Sequence, residues 1–183
     1  QFVDRLVGAR PIEALPRRLA IVSTDLQTGK PKVFTRGNTA LAVRASCSVP
    51  GVFTPPRIEN SLFADGQITS PVPVTIARSL GAQLVIAVDA TFPPEHAEIS
   101  NILTVLFQSF TIATQRIKEH ELQQASFVIR PQIKTAGQLG FKDREWLIRA
   151  GEEAARASLP ALRRLISMAQ EHWEPEVQTA SKP

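Results

Sequence analysis

Two serines, a cysteine and an Asp-Gly pair lie close together in one part of this 183-residue sequence. Arg44-Ala-Ser-Cys-Ser-Val-Pro-Gly-Val-Phe53 holds two hydroxyls and the only cysteine, and Ala64-Asp65-Gly66 follows shortly after. A hydroxyl becomes a nucleophile when a base within hydrogen-bonding reach takes its proton during attack. Asp65 is the strongest candidate for such a base, although an isolated Asp-Gly is in most proteins a turn. Ser46 and Ser48 lie at no strand-to-helix elbow and read as packing groups. Cys47 has no identifiable base and reads as a buried, inert thiol. Asp25, before a hairpin, reads as a turn-stabilising carboxylate, and Asp89, at a strand end, as a structural cap. His96, His120 and His172 share no metal-ligand spacing and no acid partner, which argues against a zinc site or a histidine triad.

The flanking sequence has to place Asp65 at one edge of a sheet. Proline blocks the helical conformation of the residue before it, so the chain must turn at Pro50-Gly51. Residues 2–7 read as a helix end closed by Gly8. A buried strand over 18–25 is followed by a hairpin at Gln27-Thr-Gly-Lys30 and a return strand over 31–35. Asn38 or Thr39 caps a helix from Ala40 to Ser46, and Leu62–Ala64 is a short strand that ends at Asp65. Pro71 and Pro73 lead into a helix through Leu80 that Gly81 terminates. Leu84–Asp89 is a continuous apolar run, as in a parallel strand covered on both faces. Ile99, Ile102, Leu103, Leu106, Phe110, Ala113 and Ile117 recur at helical spacing, which predicts one long helix packed by that face on the sheet. A strand over 126–130 stops at Pro131, and helices follow over 142–157 and 160–172, with Pro160 in a first turn. Alternating helix, glycine and buried strand give the α/β class. One domain over 1–174 and a polar tail at 175–183 are expected.

Composition removes several classes of function. A hydrophobic share of 43% suits a globular core, and no run of about 18 apolar residues is present to cross a membrane as a helix. A single cysteine rules out an internal disulfide and agrees with a reducing compartment, so a cytoplasmic location is expected. The formal charge of +4 and pI of 9.7 come from scattered basic residues without interleaved aromatics. That pattern reads as solvated surface, not a nucleic-acid interface; contact with an acidic lipid surface stays open.

The order of motifs carries more than any one of them. Thr24-Asp-Leu-Gln-Thr-Gly29, Ala45-Ser-Cys-Ser-Val-Pro-Gly-Val-Phe53, Asp65-Gly66, Pro71 to Ala82, and Val85-Ile-Ala-Val-Asp89 together resemble the later half of a bacterial patatin-like phospholipase domain. The likeness is close over residues 15–90 and loose beyond. It implies a three-layer α/β fold with a central, mostly parallel sheet. It also implies a lipid acyl hydrolase with a Ser-Asp dyad, in which Asp65 and Gly66 match the Asp-Gly-Gly/Ala motif. Gln67 departs from that motif. No metal or organic cofactor is implied. The family carries its serine in Gly-x-Ser-x-Gly at an elbow, and no such motif occurs here. The expectation is therefore that the first strands and the elbow lie before Gln1, that an N-terminal part of the same protein is a partner of this chain, and that the chain alone is inactive. Buried strands with few helices before them, and a sequence whose only methionine is Met168, point the same way. The competing reading is a patatin-like module that binds a lipid or a protein without catalysis.

Overall fold

The computed structural model describes residues 2–91, 99–133 and 144–171. The tail at 175–183, the helix start expected at Lys142, and His96 and His172 lie outside those residues. The first part is a hairpin wrapped by short helices. Helix α1 (Phe2–Val7) ends at Gly8, whose φ of 63° a glycine adopts without strain. Strand β1 (Ile21–Asp25) reverses because Asp25 Oδ1 accepts the N–H groups of Gln27 at 2.8 Å and Thr28 at 3.2 Å. Strand β2 (Pro31–Phe34) then returns antiparallel, with Ile21 opposite Phe34. Asn38 accepts the N–H of Leu41 at 2.8 Å and so caps α2 (Thr39–Ser46). Strands β3 (Arg57–Ile58) and β4 (Ser61–Asp65) complete a sheet in the order β2-β1-β4-β3. Its core is Ile12, Ile21 and Ala42 with Phe34 and Val43 against them, and the rings of Phe34 and Phe63 meet edge to face at 5.5 Å.

The second part is built on a parallel pair. Helix α3 (Val74–Ser79), Gly81 and strand β5 (Ile86–Val88) form the expected helix-glycine-strand unit. The long helix α4 (Ile102–Gln123) crosses back to β6 (Phe127–Ile129), which pairs parallel with β5. Val72, Val74, Val85, Ala87 and Leu122 form the core between these elements. Helix α5 (Arg144–Glu171) follows.

The α/β class holds, and four details differ from expectation. The sheet that carries Asp65 is antiparallel throughout, and among the described residues only β5 and β6 run parallel. The apolar run in β1 reports burial, not strand direction, and the short hairpin at Gln27–Lys30 can only join antiparallel neighbours. Strand β5 is covered on one face: Ala87 is buried while Ile86 and Val88 are exposed. The two helices expected on either side of Pro160 are one helix running through it. Proline removes one helical hydrogen bond, and the buried Ala150 and Leu162 anchor the helix on both sides of that gap.

The fourth difference concerns α4, which is turned inside out. Much of the face expected to pack on the sheet is open to solvent: Ile102 is 74% exposed and Leu106 60%, Ile99 and Ile117 are exposed too, and Phe110 is half-buried. Val105 and Ile112 extend that stripe. The inward face instead carries Gln108, Thr114, Glu121 and Leu122. Buried charges must be hydrogen-bonded, and the bonds of Glu121 to Ser70 and Thr75 fix which side of α4 faces in. Covering an aliphatic side chain is worth roughly 1.5–3 kcal/mol, so the outward stripe is a large unrealised stabilisation.

Candidate active site around Asp65

Asp65 ends β4, directly opposite Ser23 of β1. Its N–H donates to the Ser48 carbonyl at 3.0 Å, which ties β4 to the turn after α2. Its own carbonyl accepts the Thr24 hydroxyl at 2.8 Å. With that proton spent, Thr24 Oγ1 accepts from the Thr69 hydroxyl at 2.9 Å. The Ser23 hydroxyl donates to the Ala64 carbonyl at 2.6 Å. The main chain at Asp65 is thus held from β1 and from the turn after α2, and its position does not depend on its side chain.

Gly66 lets β4 and its following turn close onto β1. A Cβ at Gly66 would sit 2.3 Å from the Val22 carbonyl oxygen and 2.9 Å from its carbon. The motif glycine is therefore required by a close approach of two backbones, not by an unusual φ. A single 3-10 turn over Gly66–Ile68 starts there, with Asp65 as its cap: Asp65 Oδ1 accepts the Gln67 N–H at 2.8 Å. Residue 67 contributes its main-chain N–H to this contact, so glutamine there leaves the carboxylate placed as any residue but proline would.

The second carboxylate oxygen of Asp65 has no hydrogen-bond partner among the described residues. Burial pushes the Asp65 pKa above the ordinary aspartate range, against the smaller opposing effect of the Gln67 N–H. A carboxylate with raised proton affinity and one uncommitted oxygen can accept a proton from an approaching hydroxyl.

The neighbouring candidates do not supply that hydroxyl. Ser48 is 1% exposed and its hydroxyl donates to the Arg44 carbonyl at 2.6 Å, a helix-end contact. Ser46 makes no hydrogen bond to Asp65. Cys47 is exposed, not buried as expected, yet partial desolvation and the nearby Asp65 charge push its thiol above its ordinary range, which keeps it protonated and weakly nucleophilic. Asp25 serves its turn, and the N–H groups of Gln27 and Thr28 lower its pKa. Asp89 accepts from the Thr91 hydroxyl at 2.6 Å and pairs with Lys118 at 3.6 Å and Arg130 at 3.8 Å. Among the described residues no cluster of His, Cys, Asp and Glu could hold a metal ion, and no helix is long and apolar enough to cross a membrane.

Sequence reasoning missed the groups that support this frame. Ser23 and Thr24 are polar residues inside an apolar strand, and such residues must find partners; that signal was available. Glu121 gave none. It reaches from α4 to the start of α3, where one oxygen accepts the Thr75 N–H at 2.8 Å and the other the Thr75 hydroxyl at 2.7 Å. Ser70 donates to the same carboxylate at 3.4 Å. That fastens α4 beside the turn that follows Asp65.

Residues 1–78 match the family model for patatin-like phospholipase, a span that includes Asp65 and Gly66. An uncharacterized NTE family protein of Mycobacterium tuberculosis is 30% identical over 188 residues, covering 87% of this chain and 32% of that protein. A second one from the same organism is 42% identical over 86 residues, which are 47% of this chain and 24% of that protein. Patatin-like phospholipase domain-containing protein 7 of Mus musculus is 36% identical over 90 residues, 48% of this chain and 7% of the mouse protein. The chain spans about a third or less of the length of these relatives. The motif order and these matches agree: residues 1–78 belong to a patatin-like phospholipase domain.

Proposed function

We propose that this chain supplies the general base, Asp65, of a lipid acyl hydrolase whose serine nucleophile stands on a segment before residue 1. The observation that carries the reading is the Asp65 carboxylate itself: rigidly placed, raised in proton affinity, and with one oxygen uncommitted. The substrate is a carboxylic ester of a phospholipid, a lysophospholipid or a simple acyl alcohol. Asp65 takes the serine proton as the serine oxygen adds to the ester carbonyl, and gives it to the departing alcohol as the acyl-serine forms. Water then loses a proton to Asp65 as it attacks the acyl-serine, the carboxylic acid leaves, and the proton returns to the serine. Donors for the oxyanion come with the segment that brings the serine.

The test is Asp65→Asn in the complete protein, assayed on a short-chain nitrophenyl ester. Asparagine keeps an oxygen for the Gln67 N–H and loses the basic site. Turnover is expected to fall by about 10²–10⁴-fold, the usual contribution of a general base. Turnover within twofold of the parent would overturn the assignment. A fluorophosphonate probe, which labels only an activated serine, is expected to mark the complete protein and not the 183-residue chain.

A further inference from the structure

The inverted helix α4 points to a surface the catalytic reading does not use. From Ile99 to Gln115 the sequence contains no Asp, Glu, Lys or Arg. Over that uncharged stretch Ile102, Val105, Leu106 and Ile112 are exposed on one side of α4. The opposite side cannot be exchanged for it. Glu121 is bonded to Thr75, and Lys118 donates to the Thr91 hydroxyl at 2.7 Å beside Asp89. Charge begins near the end of the outward stripe, at the exposed Arg116 beside Ile117 and then at Glu119, which Gln115 holds at 2.9 Å.

We propose that the outward face of α4, over Ile102, Val105, Leu106 and Ile112, inserts into the surface of a lipid layer. No described helix can cross a membrane, so α4 lies along the surface with its aliphatic side chains among the acyl chains. The charge-free stretch is what a lipid boundary requires, and the formal charge of +4 draws the chain toward anionic headgroups. The helix also packs against the 3-10 turn that follows Asp65, so a docked α4 holds the proposed site close to its lipid. The inference rests on the lipid-hydrolase reading for its choice of occupant, and its test does not depend on catalysis.

The experiment uses the complete protein and sedimentation with vesicles of phosphatidylcholine, with and without phosphatidylglycerol. The parent is expected to bind, more strongly with the anionic lipid and less strongly as salt is added. The double substitution Ile102→Gln and Leu106→Gln should weaken vesicle binding by roughly tenfold or more, since two aliphatic side chains no longer insert. Turnover of the soluble nitrophenyl ester should be unchanged in that variant, and Asp65→Asn should bind vesicles like the parent. Absence of parent binding, or equal binding by the double variant, overturns the proposal. So does a loss of soluble-ester turnover or of thermal stability in the double variant, because it shows that protein covers the stripe. If the parent binds vesicles but hydrolyses no ester, the catalytic reading falls and this one stands.

Discussion

Replacing Gly66 by alanine adds one methyl group where two backbones meet. The new carbon would lie 2.3 Å from the Val22 carbonyl oxygen, about 1 Å inside ordinary contact, and 2.9 Å from the Val22 carbonyl carbon. Neither atom is the end of a flexible side chain, so β1 and the turn after Asp65 must separate. Overpacking of this kind costs about 1–3 kcal/mol. Separation also stretches the bonds from Thr24 to Asp65 and from Ser23 to Ala64, each worth about 1 kcal/mol. The expected loss is about 2–4 kcal/mol, read as a fall in the urea midpoint with an unchanged slope. Gly151→Ala is the control, since that glycine lies within α5 with nothing within 4 Å of the added carbon. It should raise stability by about 0.5–1 kcal/mol. In the complete protein, Gly66→Ala should also cut ester turnover by about 10²-fold, because a displacement near 1 Å spoils a catalytic geometry. An unchanged midpoint for Gly66→Ala would refute the close-approach argument.

Two other outcomes follow from the same geometry. Because burial raises the Asp65 pKa, the unfolded chain loses this proton at lower pH than the folded one, and stability falls as pH rises between the two values. The margin of Asp65→Asn over the parent should therefore grow from acid toward neutral pH in thermal melts; a constant margin would contradict the shift. The acid limb of kcat/KM should lie above the ordinary aspartate value of about 3.9. Glu121→Gln keeps an oxygen for the Thr75 N–H but puts an amide donor where the Thr75 and Ser70 hydroxyls donate and should cost about 1–3 kcal/mol in urea; a midpoint equal to the parent's would show that Glu121 is not what holds α4.

Local signals were legible, and their reach explains where the reading stopped. Asn38, Gly81 and Pro131 each act within a few residues, and they ended or began their elements where expected. Asp65 and Gly66 were legible as a pair, yet the reason for the glycine was not, because Val22 lies far away in sequence. Apolar runs in β1 and β5 told of burial but not of strand direction, which depends on connections and partners. On α4 the periodicity points inward, and it fails because Glu121 and Lys118 outrank it: a buried carboxylate with three donors and a half-buried ammonium beside Asp89 decide the side that faces in. Pro160 was legible as a helix start only if the buried residues flanking it are ignored.

The polar fastening of α4 has a mechanical consequence. Helices held by aliphatic packing alone can roll or slide by fractions of a turn at little cost, since such contacts are nonspecific in direction. Hydrogen bonds are directional, and Glu121 engages Thr75 and Ser70 at one point while Lys118 engages Thr91 at another, nearly one turn away along the helix. Two such pins index both the rotation of α4 about its axis and its translation along it. The helix cannot roll over to hide its aliphatic stripe without breaking both, so an orientation unfavourable in water is kept ready in advance of any surface that meets it.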